Sequence, residues 1–74
     1  MPHTTYQLVE IVGTSPTSSD DAIRSGIEQA STSLSRVDWF QVVETRGQVV
    51  NGQVGQFQVI MKVGMRLDGK PSAA

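Results

Sequence analysis

With 74 residues, the chain has room for one small domain, whose modest core leaves stability dependent on staples or partners. It has no cysteine and one histidine, which excludes disulfides and a Cys/His metal set and points to self-association as the remaining staple. A formal net charge of -1 supplies no basic field for nucleic acid, and no apolar run approaches the length of a membrane span. The N-terminus lacks a signal-peptide pattern, so the expectation is a soluble, cytoplasmic protein.

Residues 1–4 read as a polar leader. Tyr6–Val12 is rich in β-formers and predicts a strand, with Gln7, Val9 and Ile11 on one face and Tyr6, Leu8, Glu10 and Val12 on the other. Residues 13–18, Gly-Thr-Ser-Pro-Thr-Ser, predict a loop. It is a strand-to-helix turn and not a phosphate cradle, because neither Walker nor GxGxxG spacing is present. A helix should follow, capped by Ser18 or Ser19, with Asp20 and Asp21 placing negative charge in its first turn. Ser18-x-x-Asp21 is a weak form of the capping box. Ile23, Ile27, Ala30, Leu34 and Val37 step by four, three, four and three, which makes one apolar stripe on a helix ending near Ser35 or Arg36. Gly26 costs that helix some stability and would permit close packing.

Two alternating runs, Asp38–Val50 and Gln53–Leu67, flank Asn51-Gly52, the strongest short-range signal for a two-residue hairpin turn. A tight turn there sets paired residues to sum to 103. Phe40 then faces Val63, Val42 faces Met61, Glu44 faces Val59 and Arg46 faces Phe57. On the other side Trp39 faces Gly64, Gln41 faces Lys62, Val43 faces Ile60 and Thr45 faces Gln58. A bulge near Gly47 or Gly55 would shift this register. The face carrying Phe40, Val42, Val59, Met61, Val63 and Met65 is the more apolar and should meet the helix, with the methionines as core fillers. Residues 68–74 lack periodicity and should form a mobile tail. The predicted architecture is α+β: β-α-β-β, a three-stranded antiparallel sheet packed against one helix. It forms a single domain with its core at about 5–67.

This arrangement leaves Trp39 on the face away from the helix, where an indole with apolar neighbours marks either a subunit contact or a ligand platform. An aromatic platform would take a flat ring by offset stacking, worth about 0.5–1.5 kcal/mol beyond area burial. Arg46 falls on the helix-side face, so its reach to a ligand on the Trp39 face would require strand twist or a bulge.

Six strings in order resemble the dodecins, small flavin-binding proteins that assemble as hollow dodecamers. They are Glu10-Ile11-Val12-Gly13-Thr14-Ser15, Asp38-Trp39-Phe40, Glu44-x-Arg46-Gly47, Asn51-Gly52-Gln53, Phe57-Gln58-Val59 and Lys62-Val63-Gly64-x-Arg66-Leu67. The resemblance runs from about Tyr6 to Leu67. It implies that Trp39 stacks on an isoalloxazine and that Gln58 hydrogen-bonds the pyrimidine edge. It also implies that Arg46 and Arg66 help hold the FMN phosphate, with Glu44 near the ribityl chain. FMN is the implied cofactor, with riboflavin or FAD as alternatives, and coenzyme A is a further ligand of some members. The implied partner is the chain itself, as a homododecamer.

Trp39 and Gln58 share a face but lie six residues apart in this register, or about 20 Å at about 3.3 Å per residue. One isoalloxazine cannot span that separation, so both contacts to one flavin must come from different subunits. The function implied is non-enzymatic flavin storage, with suppression of flavin photochemistry by the indole. A flavin-dependent reductase is the enzyme alternative, but no nucleophile–base pair, catalytic histidine or dinucleotide fingerprint is visible. A shell holding coenzyme A is the third reading.

Overall fold

The computed structural model describes residues 4–34 and 36–67, and it has the expected β-α-β-β order. β1 spans Thr5–Ser15, α1 Ser19–Ser33, β2 Val37–Val50 and β3 Gln53–Leu67. β3 lies in the middle of an antiparallel sheet of order β1-β3-β2. The four elements run from Thr5 to Leu67, and the expected tail, 68–74, lies outside the described residues.

The turn chemistry is as predicted. Asn51 and Gly52 have φ of 54° and 75°, the paired positive values of a type I′ turn. β1 differs from expectation. Gly13, Thr14 and Ser15 are strand and not loop, because β3 is long enough to pair with them through Val59, Gln58 and Phe57.

Ser18 caps the helix, its side chain accepting from the Asp21 amide at 3.0 Å. Asp21 does not close a capping box. Its carboxylate instead accepts from the Ser15 hydroxyl at 2.7 Å, and that buried hydroxyl accepts from the Thr17 amide at 2.9 Å. This junction ties the strand end to the first helical turn. The helix stops at Ser33, with Leu34 in extended conformation, so Leu34 and Val37 leave the predicted stripe.

The buried side of α1 is Ala22, Gly26 and Ala30, while Ile23 and Ile27 flank the core half-buried. Small residues at a spacing of four bring the helix axis close to the sheet. A Cβ on Gly26 would lie 2.8 Å from Met61 Cε and 3.2 Å from Gly13 Cα. A Cβ on Gly13 would collide with the Ala22 carbonyl oxygen. Val59, Met61 and Val63 on β3 complete the core, as their alternation predicts.

The helix covers β1 and β3 and leaves most of β2 bare. Phe40 and Val42, expected beneath the helix, are 45% and 41% exposed in the single chain. Leu8 and Val12 on the opposite sheet face are exposed as well. The chain is elongated, 56 × 20 × 13 Å, and many of its apolar side chains are only partly covered by the chain itself.

Candidate functional site

The hairpin register departs from constant arithmetic in a way that decides which face each candidate residue occupies. Val50↔Gln53 and Val49↔Val54 follow the tight turn, but Gln48 pairs with Gln56, so Gly55 is an extra residue on β3. The offset persists through Gly47↔Phe57, Arg46↔Gln58, Thr45↔Val59 and Glu44↔Ile60. Val43 is then extra on β2, and the predicted pairs Val42↔Met61, Gln41↔Lys62, Phe40↔Val63 and Trp39↔Gly64 are restored. Each bulge exchanges the faces of the residues beyond it.

Between the bulges, therefore, Glu44 and Arg46 leave the helix side and join Trp39, Gln41 and Gln58. The predicted pairs Glu44/Val59, Arg46/Phe57 and Thr45/Gln58 are each corrected by one residue, and the predicted pair Val43/Ile60 is lost because Val43 is skipped and Ile60 faces Glu44. Arg66 lies on the same outer face by the alternation of β3, opposite Tyr6 of β1. All five candidate residues, Trp39, Gln58, Arg46, Arg66 and Glu44, thus occupy one face of the sheet.

They form two groups along that face. Around Trp39, the indole lies against Gly64, where a Cβ would collide with three ring atoms. Tyr6 meets the indole edge-on, with ring centroids 5.5 Å apart and planes at 66°. The Tyr6 hydroxyl reaches across β3 to donate to Asp38 at 3.3 Å, and Arg36 Nε lies 3.7 Å from the other Asp38 oxygen. These contacts fix the ring while leaving Trp39 40% exposed. In the second group, Arg46 Nε donates to Gln58 Oε1 at 2.9 Å, and Gln58 Nε2 donates to Gln56 Oε1 at 3.0 Å. Gln58 lies six residues from Gly64 along β3, about 20 Å away.

Tyr6, Asp38 and Gln56 also touch these groups, Asp38 being the residue before Trp39 in the Asp38-Trp39-Phe40 string. Tyr6 could be placed only with the β1-β3-β2 order in hand. Gln56 stands two residues from Gln58, a spacing that a same-face argument on β3 would have found.

A concavity of about 610 Å³ lies on the other side of the sheet, lined by Ile23, Ile27 and Phe40 with Asp20, Arg24 and Glu28. No candidate residue lines it. Among the described residues there is no group of three or more His, Cys, Asp or Glu side chains able to hold a metal, and no helix long and apolar enough to cross a membrane.

Comparison with known proteins matches this arrangement to one family. The family model Dodecin covers residues 5–68. A dodecin of Thermus thermophilus is 40% identical over 63 residues, 85% of this chain and 91% of the relative. The solved dodecin of Streptomyces davaonensis is 55% identical with a TM-score of 0.86, covering 90% of this chain and 98% of that one. That of Streptomyces coelicolor is 44% identical with a TM-score of 0.88, covering 95% and 100%. The chain belongs to the dodecin family.

Proposed function

We propose that this protein is a non-enzymatic flavin store that sequesters FMN by stacking the isoalloxazine on Trp39 where subunits meet. The observation that carries the reading is the indole lying against Gly64. One ring face is backed by protein, Tyr6 holds an edge, and the ring remains substantially exposed in the single chain. An aromatic platform held rigidly in this way loses little entropy on stacking.

The Trp39 and Gln58 groups lie about 20 Å apart, so a flavin that contacts both would have to be shared between subunits. Gln58 of one subunit reads the pyrimidine edge of a flavin stacked on Trp39 of another. The uncovered apolar side chains Phe40, Val42, Leu8 and Val12 supply the driving force for the homo-oligomer, which the family suggests is a dodecamer. Arg46, Arg66 and Glu44 on the same face serve the phosphate and ribityl end, or act through their neighbours. An electron-rich indole in van der Waals contact with the ring gives the excited flavin a fast non-radiative route, which suppresses its photochemistry.

The test is to purify the protein from cells grown with riboflavin and to extract its small molecules with acid. A yellow oligomer that releases FMN, fluorescent only once released, supports storage. A colourless oligomer carrying coenzyme A would move the function to a different nucleotide, and oxidation of NADH by the yellow protein would make it an enzyme.

A further inference from the structure

Arg46 can only donate hydrogen bonds, and that fact propagates through two neighbouring amides. Its Nε donates to Gln58 Oε1 at 2.9 Å, so the Gln58 amide must turn its oxygen toward β2. Gln58 Nε2 then points the other way and donates to Gln56 Oε1 at 3.0 Å. Flipping either amide would set donor against donor. The backbone supplies the spacing. Arg46 sits opposite Gln58 only because the Gly55 and Val43 bulges bracket this stretch, and Gln56 shares the face of Gln58 two residues away.

Building on the flavin reading above, we propose that Arg46 and Gln56 form a clamp that holds the Gln58 amide in one orientation. The clamp sets the site's preference for ligands with a ring imide or lactam edge. Each atom of the clamped amide keeps one hydrogen-bonding position, a lone pair on Oε1 and an N–H on Nε2. Side by side, these match a ring N–H next to a ring carbonyl, the pattern on the pyrimidine edge of an isoalloxazine. Arg46 acts here through Gln58, and Gln56 is a positioning residue. That role differs from anchoring a phosphate.

The test uses assembled apo-protein with riboflavin, which has no phosphate, and N3-methylriboflavin, which lacks the ring N–H. Wild type should prefer riboflavin by about tenfold or more, the usual cost of leaving a directed polar group unpaired. Arg46→Met and Gln56→Leu should weaken riboflavin binding and bring that ratio toward one. Gln56→Glu, whose carboxylate still accepts from Gln58 Nε2, should keep it. An Arg46→Met protein that loses affinity for FMN but binds riboflavin with the wild-type ratio would overturn the clamp and leave Arg46 as a phosphate anchor. An unchanged ratio in Gln56→Leu would overturn it too.

A second readout needs no ligand. The side-chain amide resonances of Gln58 in ¹⁵N-labelled apo-protein should move in Gln56→Leu and hold in Gln56→Glu. That result supports the clamp even where wild type binds no flavin, an outcome that would remove the storage reading alone. Resonances indifferent to both substitutions would overturn the clamp.

Discussion

Trp39 and Gly64 face each other across β2 and β3, and the indole occupies the space that any side chain at position 64 would need. The pair explains how a bulky ring can lie down on a sheet and still present itself outward. Gly64→Ala should therefore displace the ring. The expected cost is about 1–3 kcal/mol in stability, from overpacking, together with weaker flavin binding. Denaturant midpoints and flavin titration of the same variant check both effects. Unchanged values for both would mean that the ring has room to move.

At the helix–sheet contact, the two glycines differ in what opposes them. Gly13 faces the backbone carbonyl of Ala22, which cannot yield, whereas Gly26 faces the flexible end of Met61 and the Cα of Gly13. Alanine at Gly26 also gains helix propensity of about 0.8–1 kcal/mol. Gly13→Ala should therefore destabilise the protein more than Gly26→Ala, by urea denaturation. The reverse order would show that the close approach at Gly13 is not limiting.

Ser15 is buried, and its hydroxyl joins the strand end to the helix start through Asp21 and Thr17. Ser15→Ala leaves those partners without it and should cost about 1–3 kcal/mol. Ser18→Ala removes the N-cap acceptor and should cost about 1 kcal/mol. Thermal denaturation of both variants tests the ranking.

Much of this fold is written locally. Asn51-Gly52 specifies the hairpin turn through backbone preferences alone, and the alternation of Val59, Met61 and Val63 identifies the buried face of β3. The bulges are not local. Val43 has the same strand preferences as Val42, and only the pairing of the whole hairpin, with Gly55 extra on the opposite strand, decides that it is skipped. A constant register puts Arg46 and Glu44 on the wrong face. The helix stripe holds at Ile23, Ile27 and Ala30, which face the core, but its innermost line is set by a different factor. Hydropathy favours Ile23 and Ile27, but a tightly docked helix selects Ala22, Gly26 and Ala30 for its innermost line. Family resemblance names the candidate residues, and the sheet register places them on one face.

Phe40 and Val42 project from the part of β2 that α1 does not cover. In the proposed assembly these side chains are buried between subunits, so Phe40→Asp should shift the protein to smaller species in sedimentation velocity. A variant that assembles as wild type would place the subunit contacts elsewhere.

The most direct measurement is a fluorescence titration of FMN and riboflavin into assembled apo-protein, repeated with Trp39→Ala. The flavin-stacking reading predicts saturable quenching by wild type and its loss in the variant. Equal quenching by both proteins would put the flavin elsewhere, and no quenching by assembled wild type would leave Trp39 as interface packing and contradict flavin storage.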